Sequence, residues 1–368
     1  MHLNELATPS LVLDRAKLNR NLDRMRRTLR SHAVTFRPHL KTAKSAAVAR
    51  LAVEGEAGGI TVSTLAEAEY FAAHEFHDIT LAVGITSAKL DRVEDLVHQG
   101  IGVTVVTDDP DTAAVIGAHP APMRALVEID SGERRGGVKA ESGALLVVAR
   151  ALGSKLAGVL THGGHSYGGK SVEDMIRIAE EERSAVTVAA ERLRSAGLCC
   201  DVISAGSTPT VTHAQSWEGV TELRAGVYMF QDLFQSAIHS CQPEDLALTV
   251  LTSVIGRRAG ENAILLDAGA LALSKDRSTE KTAHDAGFGL ILGIDGQPAY
   301  GTCRVERTYQ EHGIAVGKAP LPFDQLQVGA RVRVAPNHAC LTAAAYDRYH
   351  VVDGGETIVD VWDRINGW

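Results

Sequence analysis

The chain has 368 residues, of which 45% are hydrophobic and 22% charged, with a net charge of −8 at pH 7. This describes a soluble globular protein long enough for two domains, and the acidic balance argues against nucleic acid or an anionic membrane as the main partner. No apolar run approaches the roughly 20 residues of a membrane span. The N-terminus lacks signal-peptide features, and the five cysteines lack regular spacing, so we expect a cytoplasmic protein.

The first predicted elements are a short strand near Ser10–Leu13 and an amphipathic helix over Ala16–Ser31. A rhythm of eight strand-like runs follows: Val34–Leu40, Gly59–Ser63, Ile79–Val83, Gly102–Thr107, Ala125–Ile129, Leu156–Thr161, Asp201–Ser204 and Thr221–Ala225. Helical patterns fill most of the gaps: Leu65–His74, Ala88–Gln99, Pro110–Ala118, Ser142–Leu152 and Val172–Ala196. This alternation predicts an α/β fold with a parallel (β/α)₈ barrel of the TIM type, and a doubly wound open sheet is the alternative.

The sequence pattern changes after about Ser240, where the apolar spacing typical of helices is no longer regular. Strand patterns separated by Gly-, Pro- and Asp-rich turns are Leu246–Arg257, Ala263–Asp267, Arg331–Val334 and Thr357–Asp363. We therefore predict a barrel domain over residues 15–240 and a mostly β domain over 241–368. The N-terminal strand is expected to join the β domain, which would then comprise residues 1–14 plus 241–368.

Lys41 closes the first barrel strand, in Arg37-Pro38-His39-Leu40-Lys41-Thr42-Ala43-Lys44. The C-terminal ends of barrel strands carry the chemistry of such folds. A lysine there could form a Schiff base if burial keeps its amine partly unprotonated. Alternatively, Lys41 and Lys44 are solvated residues of a first helical turn.

The loops after the last two predicted barrel strands are rich in glycine and hydroxyl groups. Gly206, Ser207 and Thr208 offer N–H groups and hydroxyls, and Gly226 permits close backbone approach. Barrels frequently bind phosphate between these two loops, although both could be ordinary turns. A phosphate site opposite a lysine suggests pyridoxal phosphate (PLP) as cofactor.

Several segments resemble the D-serine dehydratase and D-threonine aldolase family of fold-type III PLP enzymes, related to alanine racemase. They are Thr8-Pro9-Ser10, the Lys41 segment, His162-Gly163-Gly164-His165-Ser166-Tyr167, Gly206-Ser207-Thr208-Pro209-Thr210 and Arg224-Ala225-Gly226-Val227-Tyr228. The resemblance implies a PLP barrel, a C-terminal β domain and a homodimer with sites near the subunit interface. It also makes Lys41 the Schiff-base lysine, with Gly206, Ser207, Thr208, Gly226 and Tyr228 holding the phosphate.

Within this resemblance, further residues acquire expected roles. Arg135 resembles the arginine at the pyridine side of PLP, where a guanidinium would leave the ring a weaker electron sink, or else it forms a structural ion pair. His162 and Tyr167 would line the ring and the substrate. His162 is also a candidate base, or alternatively a core histidine. The roles of His165, of Gln310-Glu311-His312-Gly313 and of Ser274-Lys275-Asp276-Arg277-Ser278 stay open; the last loop could supply cations for a substrate carboxylate or be merely solvated.

The segment Pro336-Asn337-His338-Ala339-Cys340 carries a His and a Cys two residues apart. A structural zinc site needs four protein ligands, so the pair alone could be coincidence. The resemblance implies a divalent metal on His338 and Cys340 only, with positions left for water and substrate. Zinc suits imidazole and thiolate, with magnesium or manganese as alternatives. Cysteine at this second position is typical of the dehydratases, whereas the aldolases tend to carry aspartate.

The predicted function is therefore PLP- and metal-dependent elimination of water from a D-β-hydroxy-α-amino acid, such as D-serine or D-threo-3-hydroxyaspartate, followed by hydrolysis that releases ammonia. Lys41 would remove the α-proton, and the metal would help the β-hydroxyl depart, giving an α-keto acid. Alternatives are aldol cleavage to glycine and an aldehyde, metal-independent racemisation, and a non-catalytic PLP-binding protein.

Overall fold

The computed structural model describes residues 1–368, and the chain divides into two compact units. The barrel unit comprises Met25–Gly226 and Ile365–Trp368, and the β unit comprises Met1–Arg24 and Val227–Arg364. These limits place residues 15–24 and 227–240 in the β unit, whereas the sequence-based division placed them in the barrel. The assignment of independent domains remains a prediction.

Strands and helices alternate through the first two thirds of the chain. The strands are β1 (Ser10–Asp14), β2 (Thr35–Phe36), β3 (Ile60–Val62), β4 (Asp78–Gly84), β5 (Gly102–Thr107), β6 (Arg124–Ile129), β7 (Leu156–Thr161), β8 (Val202–Ala205), β9 (Glu222–Leu223), β10 (Leu248–Arg258), β11 (Ala263–Leu266), β12 (Gly289–Leu292), β13 (Arg304–Thr308), β14 (Gly313–Val316), β15 (Arg331–Pro336), β16 (Arg348–Val352) and β17 (Ile358–Asp363). The helices are α1 (Arg15–Arg30), α2 (Ala46–Val53), α3 (Leu65–Ala72), α4 (Leu90–His98), α5 (Pro110–Ala118), α6 (Gly143–Leu152), α7 (Val172–Ser195), α8 (Thr208–His213), α9 (Leu233–Ala237), α10 (Ala270–Leu273) and α11 (Ala339–Ala343).

The barrel unit contains an eight-stranded parallel sheet in the order β2-β9-β8-β7-β6-β5-β4-β3. A parallel bridge between His39 and Thr61 joins the segment after β2 to β3. This bridge links the two ends of the sheet, with Leu40 N–H donating to Thr61 O at 2.8 Å. The predicted TIM-type barrel is confirmed, and the open-sheet alternative is wrong.

The barrel strands are formed by short apolar runs that are buried on both faces, as parallel sheets require. All six residues of β7 are buried, between barrel interior and surrounding helices. Helix α2 begins only at Ala46, so Lys41 lies in the loop between β2 and α2. The loop after β8 leads at once into α8, a short helix that the sequence analysis did not predict.

The β unit is built on a nine-stranded sheet in the order β11-β14-β13-β12-β15-β10-β1-β16-β17. Strand β1 pairs antiparallel with β10 and parallel with β16, which confirms that the N-terminal strand joins this sheet. Strands β12, β13, β14 and β16 were not predicted. No helix of the chain combines the length and the apolar character needed to cross a bilayer.

Candidate active site

Two lysines follow β2, and their surroundings differ. Lys41 is exposed between the buried residues Leu40 and Thr42. Lys44, in contrast, has φ +49° and forms an ion pair with the buried carboxylate of Glu67, its Nζ lying 3.2 Å from Oε1. Lys44 is therefore committed to a structural contact. Lys41 is the lysine that the barrel presents at the carboxyl end of its first strand.

Two uncharged histidines, His39 and His162, lie close enough to Lys41 to be affected by its charge. Burial and the charge of Lys41 lower the pKa of His39 well below its usual value and lower that of His162 to about 3. His162 Nδ1 lies 3.0 Å from Gly206 O, and because a carbonyl only accepts, this nitrogen carries the proton. Nε2 of His162 therefore holds a lone pair across the physiological pH range. The ring can accept a hydrogen bond, but its low pKa makes it a weak base.

Arg224, at the end of β9, is a buried cation to which the sequence analysis assigned no role. Its guanidinium donates to Ser204 Oγ and to Thr161 O, both at 2.5 Å. Its positive charge helps to lower the pKa of both His39 and His162, so Arg224 belongs to the Lys41 cluster. In the sequence, its position two residues before Gly226, at the end of the last barrel strand, could have indicated a place near the site.

Arg135 has a more open environment than Arg224. Its side chain is 55% exposed and lies 3.4 Å from Glu133 Oε1. Together with Glu128 and His162, these residues line a small pocket after β6 and β7. The exposed Arg135 remains available to a bound ligand, whereas Arg224 is buried and bonded to Ser204 and Thr161.

Gly206 and Gly226 are required by close backbone contacts. Gly206 has φ +120°, and a Cβ there would lie 2.5 Å from Arg224 O. A Cβ on Gly226 would lie 2.8 Å from His39 O, in the segment that carries Lys41. The sequence analysis attributed both glycines to a phosphate. The structure adds a further reason, since both bring the loops after β8 and β9 against neighbouring main chain.

Glu182 of α7 joins the loops after β7 and β8, and sequence reasoning missed it. Its buried Oε1 accepts N–H bonds from Gly163 at 2.5 Å and Gly206 at 2.8 Å. The Gly206 amide is thus engaged by Glu182. Nothing in the helical pattern of α7 distinguished this glutamate from its charged neighbours.

A buried hydroxyl cluster lies at the start of α8. Ser207 caps the helix, and its Oγ lies 3.0 Å from Ser166 Oγ and 2.9 Å from Thr210 Oγ1. Thr208, also buried, is the first residue of α8. Phosphate groups bind to backbone N–H groups at the start of a helix, and these hydroxyls lie beside that position.

We predict that Gly206→Val and Gly226→Val lower PLP affinity at least about tenfold, because the added side chains displace the loops from neighbouring carbonyls. Ser207→Ala should weaken PLP binding with less disturbance, since it removes only a hydroxyl. Equilibrium titration with PLP measures the affinities, and thermal unfolding separates cofactor loss from misfolding. Wild-type PLP affinity in both valine variants would show that these loops are not the phosphate site.

The two tyrosines predicted to bind the cofactor belong to different units. Tyr167 lies in a 3₁₀ turn over Gly164–Gly168, and its ring centroid is 6.3 Å from that of His162. Tyr167 therefore belongs to the barrel-mouth cluster. Tyr228 is buried in the 3₁₀ helix Val227–Met229 of the β unit.

In the β unit, His338 and Cys340 flank the start of α11. His338 Nδ1 lies 2.6 Å from Asp276 Oδ2. Burial would lower the pKa of His338, but hydrogen bonds with Asp276 and Cys340 and the charge of Asp232 raise it to about 11. A metal binds the deprotonated forms of these side chains, and imidazole nitrogen and thiolate sulfur are both established ligands of divalent ions. The His338 and Cys340 side chains therefore fit a metal.

No group of three or more His, Cys, Asp or Glu side chains in the chain is arranged to hold a metal. Any ion on His338 and Cys340 would therefore need water or substrate to complete its coordination. Asp232, which is buried, supports this segment by accepting a hydrogen bond from Ala339 N–H at 2.9 Å. Neither Asp232 nor Asp276 was predicted, because both are distant in sequence from the motif.

Two segments with open roles now have positions. Residues 309–312 form the turn between β13 and β14, where Tyr309 O and Gln310 O accept hydrogen bonds from Ala270 and Leu271 at the start of α10. In the Ser274–Ser278 loop, Arg277 pairs with Asp285 at 2.7 Å. Only Lys275 of that loop remains an exposed cation, and Asp276 faces His338.

The fold and the barrel-mouth lysine define a class, the fold-type III PLP-dependent enzymes. The family described as "Alanine racemase, N-terminal domain" matches residues 13–233, and "Putative serine dehydratase domain" matches residues 247–352. Alanine racemase from Clostridium difficile has the same fold, with a TM-score of 0.68 at 14% identity over 96% of this chain and 98% of that chain.

Relatives with higher sequence identity show to which family within this class the chain belongs. D-threo-3-hydroxyaspartate dehydratase from Delftia sp. is 39% identical over 99% of this chain and 98% of its own. Its structure has a TM-score of 0.96 at 38% identity, with full coverage of both chains. D-serine dehydratase from Dictyostelium discoideum is 29% identical over 100% of this chain and 98% of its own. The chain belongs to the D-serine dehydratase family, as the sequence motifs predicted.

Other solved structures of D-threo-3-hydroxyaspartate dehydratase are a histidine-to-alanine mutant and a cysteine-to-alanine mutant in the metal-free form.

Proposed function

We propose that this chain is a lyase that converts a D-β-hydroxy-α-amino acid into an α-keto acid and ammonia, with D-threo-3-hydroxyaspartate and D-serine as candidate substrates. The full-length similarity to a dehydratase of the first compound is the observation that carries the proposal. The cysteine at position 340 agrees with it, because the resemblance associates this residue with dehydration. The barrel unit would hold PLP, and the β unit would supply the metal ligands.

Lys41 is proposed to bind PLP and to move the α-proton. Its exposed position at the end of the first barrel strand, beside neutral His162 and cationic Arg224, supports this assignment. Bound PLP supplies an electron sink for the pair of electrons left at Cα.

His162, Tyr167 and the hydroxyl cluster of Ser166, Ser207 and Thr210 are proposed to orient the cofactor. His162 holds its proton on Nδ1, bonded to Gly206 O, so its Nε2 can only accept. This fixed tautomer can bind a donor on the substrate or cofactor without changing the charge of the site. Its low pKa favours this orienting role over the role of base predicted from sequence.

His338 and Cys340 are proposed to hold a divalent metal, with zinc favoured by the imidazole and thiolate ligands. A metal on so few protein ligands supplies a Lewis acid with positions open to a substrate oxygen. A cysteine-to-alanine mutant of the similar dehydratase is described in a metal-free form, which supports a metal site in that enzyme.

We also propose a homodimer. Three apolar side chains of the β unit, Leu271, Tyr309 and Leu341, are at least 50% exposed. Leu271 adjoins the turn after Tyr309, and α10 packs against α11, which carries Leu341. Contiguous exposed apolar patches commonly mark an interaction surface, and we propose that these three residues form one. Light scattering should therefore give twice the chain mass, and the double variant Leu271→Asp with Leu341→Asp should shift the measured mass toward that of the monomer.

A cytoplasmic location remains a prediction from composition.

One product assay tests the proposed reaction. The purified enzyme is incubated separately with D-serine, D-threonine and D-threo-3-hydroxyaspartate, and ammonia, keto acids, glycine and aldehydes are quantified. We expect ammonia and keto acid in equal amounts. Glycine with an aldehyde would instead indicate aldol cleavage, and conversion between D and L forms without ammonia would indicate a racemase.

A further inference from the structure

The loop Ser274–Ser278 had no assigned role, and its acidic residue contacts the metal motif. Asp276 Oδ2 lies 2.6 Å from His338 Nδ1, and Asp276 Oδ1 accepts a hydrogen bond from Ser278 Oγ at 2.6 Å. Both carboxylate oxygens are thus fixed, one of them by the imidazole. Asp276 is also partly buried, so water competes weakly for this contact.

Two further side-chain contacts hold the same two segments together. The buried Asn337 donates from Nδ2 to Thr279 Oγ1 at 2.7 Å, and its Oδ1 accepts from Thr279 N–H at 3.2 Å. The buried Thr342 donates to Leu273 O at 2.9 Å. The loop is therefore attached to the His338 segment at three successive points, with Asp276 in the middle. Such repeated attachment leaves the Asp276–His338 pair little freedom to separate.

A carboxylate on one imidazole nitrogen determines which nitrogen remains for a metal. A carboxylate accepts from Nδ1–H, so the other nitrogen, Nε2, is the one that can bind a metal in place of a proton. Carboxylates that bind a ligating histidine in this way also orient the ring and increase its basicity. The loop contacts described above give Asp276 this position before any ion binds.

We propose that Asp276 is a positioning residue that orients His338 toward a divalent metal and thereby sets the metal affinity of the β unit. This inference rests on the proposed metal site and deepens it. Arg277 is already paired with Asp285, and the loop acts through its aspartate.

The test is competitive titration of the PLP-loaded enzyme with Zn²⁺ against a chromophoric chelator. Asp276→Ala should weaken Zn²⁺ binding about 10- to 100-fold, the range seen when such partners are removed. Asp276→Asn should restore much of the affinity, because its amide oxygen still accepts from Nδ1–H. Asp353→Ala removes an exposed carboxylate that pairs with Arg15 in the same unit, and it should leave the affinity unchanged.

A spectroscopic readout separates positioning from general destabilisation. With Co²⁺ in place of Zn²⁺, the visible absorption reports ligand geometry, and Asp276→Ala should alter the spectrum while the thermal unfolding temperature stays near that of Asp276→Asn. Wild-type Zn²⁺ affinity and an unchanged Co²⁺ spectrum in Asp276→Ala would overturn the inference. If His338→Ala also binds Zn²⁺ as tightly as wild type, the proposed metal site itself is wrong.

Discussion

Replacement of Lys41 by alanine is expected to abolish ammonia release, with a loss of at least about 1,000-fold, because the residue is proposed both to bind PLP and to move a proton. Borohydride treatment of the wild-type enzyme should fix PLP covalently on Lys41, as peptide mapping can show. The reason is positional. Lys41 is exposed at the barrel mouth, among groups that carry either no charge or a positive one.

Lys44 provides a matched control three residues away. Its amine is already paired with the buried Glu67, and Lys44→Arg keeps the positive charge needed there. This variant should retain activity near the wild-type level and still be labelled at Lys41. Label on Lys44, or no label, would contradict the assignment of the cofactor lysine.

The barrel could be predicted from the sequence because its strands and helices carry distinct apolar periods. The buried run of β7 and the long pattern of α7 were located to within a residue or two. The shortest strands of the β unit are β11, β12 and β14, with four residues each, and only β11 was predicted, because the other two did not stand out from the adjoining turns. Their pairing is determined by the neighbouring strands rather than by their own pattern.

The candidate site was predictable where a residue lies inside a motif. Lys41, His162 and Cys340 each have near neighbours that suggest their chemistry. Glu182 and Asp276 have no such neighbours, and they contact the site only because the chain folds a distant helix or loop against it. Such supporting residues are invisible to spacing arguments, because their partners are 24 and 62 residues away.

The structural constraints on the two glycines and the protonation of His162 could not be predicted without the structure. Gly206 and Gly226 were predicted from phosphate binding, yet the nearest constraints on both are backbone carbonyls. His162 was predicted as a candidate base or a core histidine, and its buried position beside Lys41 lowers its pKa to about 3. Sequence indicates which residues gather at the mouth of a barrel, whereas burial and charge determine their protonation.

The second large effect is expected from metal removal. A chelator should abolish ammonia release from the D-β-hydroxy amino acid while leaving PLP bound and its visible absorption unchanged. Hydroxide is a poor leaving group at neutral pH, so charge stabilisation at the leaving oxygen is worth several kcal/mol. The residues proposed to supply it, His338 and Cys340, belong to the β unit, whereas Lys41 belongs to the barrel unit. Cofactor binding should therefore survive the loss of the metal.

His338→Ala and Cys340→Ala should reproduce the chelator effect, because each removes one of the two proposed protein ligands. Cys199→Ala is the matched control, since Cys199 is an exposed cysteine of the barrel unit, and it should retain activity and metal. Elemental analysis measures metal content, a coupled assay measures ammonia, and absorption measures bound PLP.

Cys340→Asp separates the role of the metal from the choice of reaction. Aspartate can still bind a divalent ion but favours harder metals than a thiolate does. We expect this variant to keep metal and to divert part of its product from keto acid and ammonia toward glycine and an aldehyde. Full ammonia release from wild-type enzyme shown by elemental analysis to contain no metal would refute the metal-assisted reaction. In that case Lys41 and the barrel-mouth residues would have to account for loss of the β-hydroxyl without the β unit's ligands.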